Sequence, residues 1–373
     1  MEKPITNKLE ELIDNKVISM HVPGHKNMTI GNLNQLKINM DMTEITGLDD
    51  MHQPEDIILE SMTHFKKHDD YDAFLLINGT TSGILSVIQA FSEEKGRYLI
   101  SRNVHKSVFY GLDLAKAQAT FTAMHQSNLT CQYVEPILED VIEDYKLGIC
   151  TYPNYYGETF NIGNFINKLH DNGIPVLVDE AHGAHFDLEG FPTSSMNYGA
   201  DYVVQSYHKT LPALTMGSVL FIHKDAPLRS QVIEYLSYFQ TSSPSYLVMS
   251  SLEYAQEFYN EFKSELFFEK RKHFIKVLKK KGFNIGEPDD AVKLVVSYDG
   301  FEGYDIQRWF EDHNIFVELV DEHQILLVLP LWHENDVFPF QLLIKTINEM
   351  EIPERAEHAP KKLNLMLASS EYW

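Results

Sequence analysis

The sequence predicts an α/β protein organised around a mostly parallel sheet, and three observations predict it. Short, near-continuous apolar runs recur between residues 72 and 223. Helical stretches separate most of these runs. A polar cluster able to carry chemistry follows several of them. Strands buried on both faces read as unbroken apolar runs, and the intervening helices cover the two faces.

The elements follow in order. The N-terminal arm opens with a short amphipathic helix carrying Ile5, Leu9, Leu12 and Ile13 on one face. Loop-rich segments follow, "HVPGHKN" and "DMTEITGLDDMHQPED". Then "DAFLLI" reads as a strand, "NGTTSG" as a turn and "ILSVIQAF" as a helix. Next come strand "RYLIS", helix "KSVFYGLDLA", strand "LGICTY", helix "NIGNFINKLHD" and strand "IPVLVDEA". "ADYVVQS" and "GSVLFIH" are two more strands. Residues 224 to 281 read as helical around a "QTSSPSY" loop, with one long helix over 246 to 281. A smaller α+β unit follows: strand "AVKLVVSY", helix "YDIQRWFEDHN", strands "IFVELV" and "QILLVLP", and helix "FPFQLLIKTINEM". The expected division is an arm over 1–60, a major domain over 61–250, a connecting helix with the small domain over 251–352, and an aperiodic, poorly tied tail over 353–373.

Composition narrows the function. The chain has 373 residues, 44% of them hydrophobic, with 31 Lys+Arg against 54 Asp+Glu and a formal net charge of −23. Such a surface repels nucleic-acid backbones and anionic membranes. Two cysteines, Cys131 and Cys150, do not make a disulfide framework. The polar start "MEKPITNKLEELIDNK" is not a signal peptide, and no stretch has the length of a membrane span. A cytoplasmic protein without nucleic-acid or membrane partners is expected.

The stretch "VLVDEAHGAH" admits three readings: the acidic strand end of a helicase, a metal site from Asp179, His182 and His185, or a carboxylate that holds a cofactor. The helicase reading lacks a phosphate loop of the G-x-x-x-x-G-K-[ST] kind and has the wrong net charge. The metal reading needs all three side chains on one helix face, whereas Asp179 ends a strand. In open parallel sheets ligands bind beyond the carboxyl ends of strands. After "FLLI" come Gly79, Thr80, Thr81 and Ser82, which suit a phosphate at a helix start, although an ordinary helix cap has the same look. After "YLIS" comes His105, after "VLV" come Asp179 and His182, and after "YVVQ" come Ser206, His208 and Lys209. A lone lysine defaults to an exposed one. Four such clusters, each behind a different strand, match what pyridoxal phosphate needs: an anion cradle, a flat stacking partner, a carboxylate and an amine.

Seven stretches then carry a resemblance: "VPGHKN", "DMTEITGLDDMHQPED", "LLINGTTSGILSVI", "SRNVHKSV", "YPNYYGETFNI", "VLVDEAHGAHF" and "SYHKTLPALTMGS". In this order, over residues 20 to 250, the chain resembles the short bacterial branch of the Orn/Lys/Arg decarboxylases. The resemblance implies an aspartate-aminotransferase-like major domain (fold-type I) with pyridoxal 5'-phosphate as cofactor and decarboxylation of arginine, lysine or ornithine to an amine that feeds polyamine synthesis. It implies that Lys209 carries the cofactor, Asp179 pairs with the ring nitrogen and His105 stacks on the ring. Thr80, Thr81 and Ser82 would hold the phosphate with Ser206 and His208, and His182 would lie near the ring. Thr241 and Ser242, in the "TSSPSY" loop, would reach a phosphate in the second subunit of a homodimer. No metal is implied. The acidic stretch around Glu44, Asp49 and Asp50 is one candidate partner for a basic substrate side chain. The chain departs from the family pattern at Asp56, where Gly is usual, and at Asn154, where Thr is common; it also shows no counterpart of the Pro- and Gly-rich segment expected after the small domain. Two alternatives stay open: another fold-type I activity, such as an aminotransferase or lyase, and a degenerate decarboxylase-like binding protein.

Overall fold

A computed structural model describes residues 2–138 and 145–352. The tail expected over 353–373 lies outside the described residues. The central sheet has seven strands in the order Tyr71–Leu76, Ser218–His223, Tyr202–Gln205, Val176–Asp179, Tyr145–Thr151, Arg97–Ile100, Ala119–Phe121. Ser218–His223 is antiparallel to both neighbours, and every other pairing in the sheet is parallel.

Alternation along the strands divides the core in two. Val176, Val178, Val203, Val219 and Phe221 point to one face, where Phe165, Ile166 and Leu169 of helix Ile162–His170 cover them. Leu177, Tyr202, Val204, Leu220 and Ile222 point to the other, under Ile84, Val87 and Ile88 of helix Thr80–Ala90. Side chains with a period of two go to opposite faces, so these continuous runs are apolar on both. The fold is therefore of the α/β class with a mostly parallel sheet flanked by helices, as read from the sequence.

Helix Thr80–Ala90 starts inside the stretch read as a turn: Gly79 is its cap, and Thr80 already has helical pairing. The single helix expected over 246–281 is two, Tyr246–Glu261 and Glu265–Lys280. Phe262 breaks it, adopting extended backbone (φ −62°, ψ 133°) while its ring packs 5.4 Å from Phe258 and 6.4 Å from Phe191. Aromatic packing overrides local propensity there. A smaller sheet contains Asn284–Gly286, Lys293–Ser297, Ile325–Val328 and Leu319–Val320, all antiparallel. Strand Ile18–Met20 pairs in parallel with Ile315–Val317, so the N-terminal arm is bound to the C-terminal part of the chain. The amphipathic helix forms over Pro4–Asp14, but its Ile5, Leu9 and Ile13 face outwards. Among the described residues, no helix is long and apolar enough to cross a membrane.

Candidate active site

The carboxyl edge of the central sheet gathers the predicted side chains. Val176–Asp179 ends on Asp179, buried, whose Oδ1 accepts from the Ala181 N–H at 3.2 Å. Burial raises the Asp179 carboxyl, while the charges of Lys209 and His105 oppose that rise. The next strand, Tyr202–Gln205, leads through Ser206 into a one-turn helix, Tyr207–Thr210, that carries His208 and Lys209. Lys209 is half-buried, and its Nζ lies 3.1 Å from Nε2 of His182. Burial lowers the Lys209 ammonium below the usual lysine range, against Asp179 and Glu318.

His182 is buried and stays far below the usual imidazole range, first by burial and then through Lys209 and Lys293. Its other nitrogen, Nδ1, lies 3.2 Å from Nζ of Lys293. Tyr155 meets the same ring edge-on at 4.6 Å. His105 caps helix Lys106–Leu114: its Nδ1 faces Ser107 Oγ at 2.9 Å, and its ring is exposed. A flat partner can therefore stack on it.

The anion cradle is at the start of helix Thr80–Ala90. Gly79 adopts φ 75° and ψ 173°, a conformation open essentially to glycine alone, and no atom lies within 4 Å of where a Cβ would be. No side chain caps this helix start. Helix N-terminal N–H groups attract anions. Thr80 Oγ1 is 3.3 Å from Ser206 Oγ, which joins the cradle to the lysine turn. The Ser82 hydroxyl is buried and donates back to the Gly79 carbonyl at 2.8 Å, so it braces the turn. His208 Nδ1 is 3.0 Å from the Gly217 carbonyl, and burial lowers this imidazole to about 4. Thr241 and Ser242 are exposed, with the Thr241 N–H donating to Asn78 Oδ1 at 3.2 Å beside the cradle.

Other residues singled out in the sequence have the following partners in the structure. Asp49 spends its carboxylate on the N–H groups of Asp50, Glu55, Asp56 and Ile58. Glu44 accepts from Met51 N–H and Asp50 from His52 N–H, so these acids organise their own loop. Asn154 accepts the Tyr156 and Glu158 N–H groups, both at 3.0 Å, and so fixes the turn that presents Tyr155. His185 is a structural histidine: it is wholly buried, with Nε2 2.8 Å from Asp290 Oδ1.

Lys293 and Glu318 have no place in the sequence reading of the site. Lys293 is wholly buried on the small sheet. Glu318 accepts from Tyr155 OH and from the Val22 N–H, and Lys293 and Lys26 help to keep it ionised against burial. Lys26, also buried, donates to the His21 and Val328 carbonyls, and burial lowers it to about 7. A signal for both was present: a lysine inside "AVKLVVSY" and a glutamate inside "IFVELV". A charge in an apolar strand is costly unless paired, so it marks a place where partners exist.

Comparison with known proteins speaks to the family and the fold. The family described as Orn/Lys/Arg decarboxylase, major domain, matches residues 3–281. The Bacillus subtilis protein YaaO, itself uncharacterised, is 38% identical over 358 residues, covering 89% of this chain and 74% of its own. An arginine decarboxylase of Bacillus cereus is 30% identical over 367 residues, 88% of this chain and 78% of its own. Among solved structures, lysine decarboxylase A of Pseudomonas aeruginosa superposes with a TM-score of 0.67 at 14% identity, over 82% of this chain and 52% of that one. Aspartate aminotransferase of Thermotoga maritima gives 0.58 at 15% identity, over 92% and 96%. At such identities the two structures speak for the fold alone.

The residues present fit pyridoxal phosphate. An uncapped helix start with an open glycine, a buried carboxylate and an amine in reach of it lie on one sheet edge, with an exposed imidazole nearby. The chain belongs to the Orn/Lys/Arg decarboxylase family and is a pyridoxal-phosphate-dependent decarboxylase acting on a basic amino acid.

Proposed function

We propose that the substrate is arginine and that the product amine is a polyamine precursor. Similarity to arginine decarboxylases at 27–30% identity over 88–90% of this chain carries the reading. Parallel assays with arginine, lysine and ornithine, following CO₂ and amine, test it. Faster turnover of arginine supports it, and faster turnover of lysine or ornithine overturns it.

Pyridoxal phosphate, when bound, supplies a carbonyl for amines and a ring that takes up the electron pair left at the α-carbon. The chain's residues do the rest. Lys209 offers the attaching amine, kept nucleophilic because burial disfavours its ammonium. Asp179 provides the negative charge that holds a proton on a ring nitrogen. His105 gives a flat exposed face. Gly79, Thr80 and Thr81, with Ser206 and His208, receive the phosphate, and Ser82 keeps the turn in shape. His182, neutral and in contact with Lys209, can hold or return a proton at that amine. Glu318 is the carboxylate available to a cationic substrate side chain, since an ionised carboxylate accepts more bonds than the two it makes here.

Thr241 and Ser242 are exposed, and the Thr241 N–H donates to Asn78, next to the cradle's Gly79. This supports a homodimer in which that loop contributes to the phosphate site of a second copy. The acidic charge of −23 supports action in the cytoplasm, away from anionic surfaces.

A further inference from the structure

We infer that Lys293 is a positioning residue, whose ammonium sets the tautomer of His182 and through it keeps the amine of Lys209 uncharged. The inference rests on the reading of Lys209 as the attaching amine. It starts from a geometric fact: two lysine nitrogens sit at the two nitrogens of one buried imidazole, Lys209 Nζ at 3.1 Å from Nε2 and Lys293 Nζ at 3.2 Å from Nδ1. A neutral imidazole has one N–H and one lone pair. Its two partners therefore cannot both be ammonium groups bonded to it: one lysine donates, and the other accepts through a free amine lone pair.

The surroundings decide which lysine donates. Burial opposes charge on Lys293 most strongly and Lys209 opposes it too, while Glu318 and Asp290 favour it; its Nζ also lies 5.6 Å from the centre of the Tyr155 ring, whose face attracts a cation. Asp290 Oδ2 has no hydrogen-bond partner, and the Lys293 stem packs beside the same residue over Gly157. Lys209 has Asp179 and Glu318 near it, and Asp179 is the carboxylate assigned to a ring nitrogen. The other groups facing the trio are Lys26, His105, His208 and Tyr155. Of these, Lys26 is lowered to about 7, first by burial and further by the charge of Lys293, and His208 and His105 act on His182. With Lys293 as donor, Nδ1 accepts, the ring proton lies on Nε2, and Nε2–H points at the Lys209 lone pair. Lys293 lies on the small sheet, in strand Lys293–Ser297, so a residue outside the major domain would set the protonation state of the amine inside it.

Two measurements on cofactor-free protein test this independently of turnover. In the first, nitrogen-15 spectra of histidine-labelled protein, with His182 assigned by loss of its signals in His182→Gln, report the tautomer. The proton is expected on Nε2, and a proton on Nδ1 overturns the relay. In the second, trace acetylation across pH, read by mass spectrometry at Lys209, gives the pH at which its amine becomes reactive. In Lys293→Met that midpoint should rise by about one unit or more, the size of shift a neighbouring charge produces. Lys293→Arg, which keeps charge and donor, should hold the wild-type midpoint. An unmoved midpoint in Lys293→Met of native melting temperature overturns the proposal. If the protein decarboxylates no basic amino acid, the functional reading fails, yet the tautomer and the midpoint still judge the relay.

Discussion

At the ring end of the site, Asp179, His182 and Lys293 are buried, and Lys209 meets the His182 imidazole and feels the charge of Asp179. At the cradle end, Thr80, Thr81, Thr241 and Ser242 remain accessible, and the helix start has no side-chain cap. The ring end is organised by one chain, with charges whose protonation is decided by burial and by each other. The cradle is organised by backbone: a glycine conformation and free N–H groups wait for an anion. The difference separates chemistry from binding. Changes at the ring end should appear in turnover, and changes at the cradle in cofactor affinity.

The largest effect belongs to the ring end. Asp179→Asn should retain cofactor but lose turnover by about 10²–10³-fold, the range for one preorganised electrostatic partner; steady-state kinetics with saturating cofactor measure it. A comparable fall in cofactor affinity with kcat intact would place Asp179 with the cradle instead. Glu318→Gln sharpens the division between reaction and recognition: KM for the basic substrate should rise by roughly tenfold, as for loss of one charged contact, with a smaller change in kcat. At the cradle, Gly79→Ala forces a Cβ into a conformation that costs about 1–3 kcal/mol. Titration with pyridoxal phosphate should show affinity weakened by roughly tenfold, while turnover at saturation stays near wild type.

The smallest effect lies beneath both ends. Glu180, wholly buried, accepts from Ser194, Ser195 and Gln205, and Lys67 donates to Gln205 at 2.9 Å. Burial raises Glu180 from 4.5 to about 7 and lowers Lys67 from 10.5 to about 7. Between pH 4.5 and 7 the folded state holds a proton on Glu180 that the unfolded chain has lost, so stability falls as pH rises. Above pH 7 the unfolded chain keeps a proton on Lys67 that the folded state has released, so stability rises. Melting curves across pH should show this minimum, and Glu180→Gln should flatten the acid side by a few degrees, on the order expected from the linkage.

The ring end was the more legible half in the sequence. Asp179, His182 and Lys209 each follow an apolar strand, and the rule that ligands sit beyond strand carboxyl ends places them together without any knowledge of packing. The cradle was legible as a glycine and hydroxyls, but not which hydroxyl turns away: Ser82 returns to Gly79, a choice made by local backbone geometry. Lys293 comes from the small sheet and Glu318 from the bend between strands Ile315–Val317 and Leu319–Val320, both more than 80 residues beyond Lys209, and only the tertiary fold brings them in. The fold was legible where strands are long and buried. Short, half-exposed strands such as Ala119–Phe121 and Ala123–Gln126 carry no such pattern, and the break at Phe262 depends on rings from distant segments.

Everything at the ring end depends on Lys209, rather than its buried neighbours Lys293 and Lys26, being the attaching amine. Borohydride reduction of the cofactor-loaded protein, followed by peptide mapping, tests it most directly. A phosphopyridoxyl group is expected on Lys209, together with loss of the bound visible band in Lys209→Ala. The same group on Lys293 or Lys26, or a visible band that survives in Lys209→Ala, would contradict it.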